Sequence, residues 1–365
     1  MVAKYDDLLE FVKAVLPEMR ITRLRNLALT ILGILQVRDA HLTVSEIARA
    51  VPGPSDHWHK FKRIWRFLSN VKWAPADQFD AMLQFLLSRF RVGPLLPVII
   101  DQSTIGGKWE VLWASIPFRG RALPVRFLVF RYEDIRNLRE MSQNRIEEQF
   151  IRDVVGMIPS SLTPLILLDR GYARVAMIDL LESLRVRYVI RARADTWVRH
   201  GQYSGPMRGI PVGRGAVVWW SQALVYQREP RGVNLAVTLN ASAEEPWYLL
   251  TNLRRCATTV NWYERRFRCE EEFRDIKDQL HLETLRVRTN ARVERLLFAL
   301  ALSYVALTLI GLAVRCAGLT PKVCRYAVSA AWVALRALKM PQILKPRMIR
   351  RALLVRRWAL FYESG

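Results

Sequence analysis

Apolar and polar residues recur with two different periods along the chain, and the change from one to the other divides it. Up to about residue 92 the spacing is helical, in LLEFVKAVL, in RLRNLALTILGILQV and in two shorter stretches separated by Pro52-Gly-Pro-Ser55. Thr43, with Glu46 three positions later, predicts a capping box that opens a helix running to Val51. Ser55 is placed to cap the next helix, HWHKFKRIWRFL. From Leu95 the pattern changes to β-branched runs and short alternations. PLLPVIID, KWEVLWASIPF and LPVRFLVFR predict three successive strands joined by tight turns. NRIEEQFIRDVVGMI then predicts a helix, PLILLD a buried strand, YARVAMIDLLESL a helix and RYVIRAR a strand.

The resulting order, βββαβαβ, is the plan of a ribonuclease H-like α/β core. Between about residues 196 and 258 the run of Gly201, Gly205, Gly209, Gly213 and Gly215, with the strand-like AVVWW, NLAVTL and WYLLTNL, predicts a β-rich insertion. Thr258 or Thr259 is expected to cap one long helix reaching about Leu280, followed by an apolar helix and a basic carboxy-terminal segment. The expected division is a helical DNA-binding region over 1–92, the first part of the core over 93–195 and the insertion over 196–258. The second part of the core follows over 259–320 and a basic helical region over 321–365. Leu296 to Val314 carries no charge and is long enough to span a bilayer. Arg295 and Arg315 flank it, no second span exists, and basic segments on both sides leave an orientation undefined, so a buried central helix is expected instead of a membrane anchor.

Composition narrows the function. The 365 residues include 56 Lys+Arg against 33 Asp+Glu, a net charge of +23, which excludes an acidic solvating protein and favours a polyanionic partner. With 51% hydrophobic residues the chain can also build a large core. In the helix after Ser55, Lys60, Lys62, Arg63 and Arg66 alternate with Trp58, Phe61, Trp65 and Phe67, which suits a helix pressed onto a phosphate backbone; a bundle helix with its charges in water fits equally. Cys256, Cys269, Cys316 and Cys324 form no C-x-x-C pair and have no histidine at ligand spacing, so reduced thiols are expected and neither zinc nor a disulfide framework. The opening MVAKYDDLLEFVKAV, with Asp6, Asp7 and Glu10, predicts no export signal and so a cytoplasmic location, which the expected polyanionic partner narrows to nucleoid-associated.

Two carboxylates stand where α/β sheets place their sites. Asp101 follows Val98-Ile-Ile100, and Asp169 follows Leu165-Ile-Leu-Leu168. Aspartate is also an ordinary turn residue at strand ends. The helix from Thr259 adds a polar stripe: Tyr263, Arg266, Glu270, Arg274 and Lys277 fall within an arc of roughly 80° at ~100° per residue. Trp262, Cys269, Phe273, Ile276 and Leu280 form the apolar stripe beside it. Glu270 lies near the middle of the polar stripe, while Glu271 turns aside and Glu272 points nearly opposite. An amphipathic helix with i,i+4 pairs, Arg266 with Glu270 and Glu270 with Arg274, would show the same pattern.

Tyr263, Arg266, Glu270 and Lys277 reproduce the spacing Y-x2-R-x3-E-x6-K, and YERRFRCEEEFRDIKDQLHLETLRVRT resembles the signature of the DDE transposases of insertion-sequence family four, the cut-and-paste "YREK" group. IIDQST around Asp101 and LLDRGYA around Asp169 extend the resemblance to roughly residues 95–290. Phe267 stands where that group usually has Trp, and Gln-Ser follows Asp101 in place of x-Thr. The resemblance implies that Asp101, Asp169 and Glu270 are catalytic metal ligands for two Mg²⁺ or Mn²⁺ ions. It implies that Tyr263, Arg266 and Lys277 hold transposon-end phosphates; Arg274 joins them on the geometric argument alone. Trp247, in WYLLT, resembles the strand from which hairpin-forming members present a tryptophan to a flipped base, although a core tryptophan fits the same pattern. Double-stranded DNA is the implied partner, and joining two ends implies a homodimer, for which the carboxy-terminal AVSAAWVALRAL and ALLVRRWALFY offer amphipathic faces. The expected function is metal-dependent cleavage at transposon ends and strand transfer into target DNA. The alternatives are a catalytically silent DNA-binding derivative and a protein anchored in a membrane by residues 296–314.

Overall fold

The computed structural model describes residues 5–37, 41–90, 93–136, 141–240, 244–324, 328–340 and 342–354. The amino-terminal region is helical, with α1 (Tyr5–Val15), α2 (Ile21–Ile34), α3 (Val44–Ala50), α4 (His57–Leu68) and α5 (Phe79–Arg89). In α1 the buried residues Leu8, Phe11, Val12 and Val15 recur at helical spacing, with Asp6 and Asp7 in the first turn and Lys13 in the last, as the helix dipole favours. Thr43 caps α3, its hydroxyl accepting from the Glu46 amide at 3.1 Å. The Glu46 side chain turns to Arg49. Asp56, not Ser55, caps α4, accepting from the His59 amide at 2.9 Å. The proline-rich break ends one residue later than the hydroxyl suggested, and a carboxylate is as good an N-cap as a serine.

The central sheet has ten strands among the described residues. β1 (Leu95–Ile105), β2 (Trp109–Phe118) and β3 (Arg121–Phe130) form an antiparallel meander. After α6 (Tyr132–Ile135) and α7 (Gln143–Met157), β4 (Thr163–Leu168) pairs parallel to β1; after α8 (Val175–Ser183), β5 (Arg187–Ala192) pairs parallel to β4. The spatial order β3-β2-β1-β4-β5, with β2 antiparallel to β1, is the ribonuclease H-like arrangement expected from βββαβαβ. The glycine-rich stretch supplies β6 (Trp197–His200), β7 (Tyr203–Pro206), β8 (Val217–Val225), β9 (Arg231–Thr238) and β10 (Trp247–Thr251). These strands continue the same sheet in the order β5-β10-β9-β8-β6-β7. β10 closes back onto β5 in antiparallel register, Tyr248 opposite Ala192, so Trp247 begins the strand nearest the core.

Helices α9 (Cys256–Glu264) and α10 (Arg268–Gln279) follow, then α11 (Asn290–Cys316), α12 (Thr320–Val323), α13 (Ala330–Ala337) and α14 (Pro346–Leu354). Every residue from Leu296 to Val314 on α11 is buried. By length and composition α11 could cross a membrane, but its apolar window is wholly covered by the protein's own helices and strands. Ser303 and Thr308 return their hydroxyls to the carbonyls of Ala299 and Tyr304 at 2.7 and 2.9 Å, which lets a polar side chain lie in the core. At its entrance Arg295 is buried and donates to the carbonyls of Trp73, Leu68 and Ala291. On α13 Ala330, Ala331, Val333, Ala334 and Ala337 are buried and Trp332 and Leu335 half-buried; on α14 Ile349, Ala352 and Leu353 are buried and Met348 and Leu354 half-buried. The faces expected to await a second copy are therefore spent inside the chain; residues 355–362 of ALLVRRWALFY lie outside the described residues.

Candidate active site

The register of β1 on β4 sets the site. Ile100 lies opposite Leu168, so Asp101 and Asp169 follow at the same level on neighbouring parallel strands about 4.8 Å apart. β1 does not end there: it continues to Ile105 paired only with β2, and Asp101 sits where its parallel neighbour stops. Alternation carries Asp101 to the face of Ile99, and Asp169 to that of Leu165 and Leu167. This face holds a small core, packed around Tyr263 and Cys269 from the helices above.

Those helices differ from the expected single rod. α9 begins at Cys256 with no side-chain cap, and Thr259 lies inside it, its hydroxyl bonded to the Arg255 carbonyl at 2.9 Å. Arg265–Phe267 form a 3-10 turn between α9 and α10. Each residue of such a turn rotates ~20° further than an α residue, so three of them swing the Tyr263 end by about 60° relative to the Lys277 end. Tyr263 and Arg266 are consequently buried at 0% and 4% exposure, while the Glu270 side chain is half exposed.

Both buried groups reach the aspartates. The Tyr263 hydroxyl donates to Asp169 Oδ1 at 3.1 Å. Arg266 Nη1 approaches Asp101 Oδ2 at 3.4 Å, and its Nη2 donates to Glu270 Oε1 at 2.8 Å. Cys269, which sequence periodicity assigned only to the apolar stripe, donates its thiol to Asp101 Oδ2 at 3.3 Å. Burial pushes the Asp101 carboxyl upward against the pull of Arg266, with nearby Asp169 adding to the rise. Burial likewise raises the Tyr263 phenol and the Cys269 thiol, which keeps both protonated as donors. Burial opposes the Arg266 charge, but Asp169 and Asp101 outweigh it and hold the guanidinium charged. Two hard oxygen donors level with each other, Asp101 and Asp169, suit a divalent cation, and the Arg266 guanidinium now stands against Asp101. Glu270 is held on Arg266, and among the described residues no group of three His, Cys, Asp or Glu is close enough to hold a metal.

Trp247 is half buried, stacks on Phe267 at 5.4 Å and meets Tyr263 edge-on at 5.2 Å. Trp219 packs against the same small core as Trp247, whereas Trp220 lies on the other side of the sheet and stacks on His200 at 5.0 Å. Arg274 pairs with Glu271 at 2.7 Å, not with Glu270, and Lys277 pairs with Glu283 at 2.7 Å. Beside Asp169 a cleft of about 360 Å³ is lined by Arg170, Arg191, Arg193, Glu245 and Tyr248. Its arginines come from the turn after β4 and from the end of β5, segments about 20 residues apart that the parallel β4–β5 pairing sets side by side, and no sequence period links them. On α4, away from this site, Lys60 donates to the carbonyls of Val51 and Gly53, and Arg63 to Asn26. Lys62 and Arg66 face outward, with Lys62 over the exposed Trp58 ring.

Residues 136–306 match the family model of the transposase DDE domain. That span contains Asp169 and the whole Tyr263–Lys277 stretch, and the similarity supports a DDE transposase. Comparison with curated proteins finds no match. Among solved structures the chain is similar to a piggyBac transposase synaptic complex with hairpin DNA, with a TM-score of 0.46 and 12% identity over 96% of this chain and 79% of that one.

Glu272, on the face of α10 opposite the solvent, is fully buried and accepts from Trp113 Nε1 at 3.1 Å. Burial pushes its carboxyl from 4.5 up to about 8. Between those values the folded protein keeps a proton that the unfolded chain has released, so stability falls as pH rises through that window. Glu272→Gln should flatten this fall in the melting temperature measured from pH 4.5 to 8; an unchanged slope would assign it to another group.

Proposed function

We propose that the chain is a DNA transposase of the DDE type that cuts and joins phosphodiester bonds at the ends of a mobile element. One observation carries this reading: Asp101 and Asp169, level on adjacent parallel strands, are bound by Tyr263 and Arg266 from the segment that bears Glu270. The spacing of Tyr263, Arg266, Glu270 and Lys277 supports the finer assignment to insertion-sequence family four. Asp101 and Asp169, with Glu270 as the third carboxylate, would hold Mg²⁺ or Mn²⁺. Held there, such ions would supply activation of water or a 3′-hydroxyl and charge stabilisation for the leaving oxygen.

The protein's own groups do the rest. Tyr263 and Arg266 orient the aspartates, and reach a phosphate next to the scissile bond only by exchanging the carboxylates they now bind. Arg274 and Lys277, each paired with one surface carboxylate, exchange that partner for DNA phosphates. The arginine cleft beside Asp169 takes more of the strand, and Trp247 offers a ring for an unpaired base. Lys62 and Arg66 on α4, with Lys60 and Arg63 behind them, serve the flanking duplex. Two copies bring two ends together, in the cytoplasm and on the nucleoid.

Nicking of DNA bearing the element's inverted repeats, dependent on Mg²⁺ or Mn²⁺, tests the reading. The separation of Glu270 from the aspartate pair favours a second reading, a DNA-binding derivative without cleavage; binding without any nicking would select it. Binding itself should weaken steeply with salt. Lys277→Ala or Arg266→Ala should lower the log-log slope by about 0.9 for each phosphate that is no longer neutralised, measured by fluorescence anisotropy. A slope that does not change in either variant would place both residues away from the DNA.

A further inference from the structure

A second basic site lies on the other side of α10. The turn between β2 and β3, the carboxy-terminal half of α11 and the start of α13 enclose a cavity of about 70 Å³. Arg119, Arg121 and Arg315 line it, with the hydroxyl-bearing Tyr304, Thr308 and Ser329. We propose that Arg119, Arg121 and Arg315 form a binding site for a phosphate group, separate from the aspartate pair.

Charge, shape and position all support it. Three guanidiniums line the cavity; Asp275 and Glu271 both pair with Arg121, at 3.0 and 3.1 Å, so three positive charges meet two negative ones and one is left over. Arg315 donates to the Val328 carbonyl; its charge is disfavoured first by burial and then by Arg121 and Arg119. An anion relieves that repulsion. Ser329 caps α13, whose amino-terminal dipole adds positive potential from the same wall. The volume exceeds the ~10–15 Å³ that admits one water, leaving room for a tetrahedral oxyanion. The turn itself holds Arg119 at φ 43° before Gly120 at φ 77°, a two-residue turn that ordinarily takes asparagine first. A long cationic side chain is kept there at a backbone cost.

Trp113 lies opposite Asp101, and Phe118 is five residues further along β2, about 17 Å away, roughly the rise of five base pairs. The phosphate held here therefore has two sources, the backbone of the same duplex or free inorganic phosphate, and only the first depends on the DNA-processing reading.

Inorganic phosphate, titrated against chloride at constant ionic strength, should raise the melting temperature of the full chain. Arg119→Gln and Arg315→Gln should each weaken that response about tenfold or more. Arg315→Gln also loses the bond to Val328, so Arg119→Gln is the decisive variant: its side chain is exposed, over the Phe118 ring, and the phosphate response is read against the variant's own melting temperature without phosphate. If the source is DNA, Arg119→Gln also lowers the salt slope of duplex binding by about 0.9; an unchanged slope together with a phosphate response that Arg119→Gln weakens identifies free phosphate. Asp101→Asn should leave the phosphate response in place, which separates this site from the fate of the active-site reading. No phosphate response together with an unchanged slope, or a response that Arg119→Gln retains in full, overturns the proposal.

Discussion

Asp101→Asn and Asp169→Asn are each expected to abolish DNA cleavage while leaving binding to transposon ends nearly intact. Each substitution keeps the side chain's shape and its place at the end of the β1–β4 pairing, but exchanges an ionised oxygen for a neutral amide. The charge stabilisation lost with a metal ligand is several kcal/mol, and at ~1.4 kcal/mol per tenfold the rate should drop on the order of 10³-fold or more. Glu270→Gln should act in the same direction and also weaken the 2.8 Å pair with Arg266. The measurement is single-turnover nicking of end DNA with Mg²⁺, alongside a binding isotherm for the same duplex. Full cleavage by any one variant removes that residue from the site. Loss of binding in parallel with cleavage would mean that the carboxylate supports the fold.

Gly311→Ala should destabilise the protein more than any other single-methyl change on its helices. A Cβ at Gly311 would stand 1.8 Å from the Ala330 carbonyl oxygen, a backbone atom at the start of α13 that no side-chain rotation moves. α11 and α13 would have to separate, disturbing the packing on which the carboxy-terminal helices depend. Overpacking costs about 1–3 kcal/mol and more where backbone must shift, well above the ~1 kcal/mol that alanine gains over glycine in a helix. Gly156 on α7 supplies the contrast, because a Cβ there meets nothing within 4 Å. Gly156→Ala should therefore raise the denaturation midpoint slightly while Gly311→Ala lowers it strongly. Equal and small shifts in both would show that α13 does not press on α11.

Local pattern was sufficient for much of this molecule. The βββαβαβ order and the strands β8, β9 and β10 follow from hydrophobic period and run length, whereas the short β6 and β7 are not singled out by them; the burial of residues 296–314 follows from the basic segments on both sides of an uncharged run. Asp101 and Asp169 were legible as strand-end carboxylates, and Tyr263, Arg266, Glu270 and Lys277 as one spaced set. The ends of elements were less legible: Asp56 and Ser55 compete for one cap, and Thr259 is a good cap residue that the chain places one turn inside α9. Such choices depend on where neighbouring elements need the chain to enter.

Tertiary structure alone decided what the side chains do. An ideal helix put Tyr263, Arg266, Glu270, Arg274 and Lys277 on one stripe; the 3-10 turn at Arg265–Phe267 buried the first two and left Arg274 and Lys277 with Glu271 and Glu283. Cys269 became a donor to Asp101, and Glu272 a buried partner of Trp113, because both lie where α10 meets the sheet. The cavity of Arg119, Arg121 and Arg315 joins residues almost 200 positions apart, and no period links them. The apolar faces of α13 and α14, which a sequence leaves free to meet a second chain, are covered by α11 and its neighbours. Period fixes which face of an element is apolar through the geometry of a single helix or strand. What that face meets, and which charges end up beside one another, is set by contacts between distant segments, and those exist only once the chain has closed on itself.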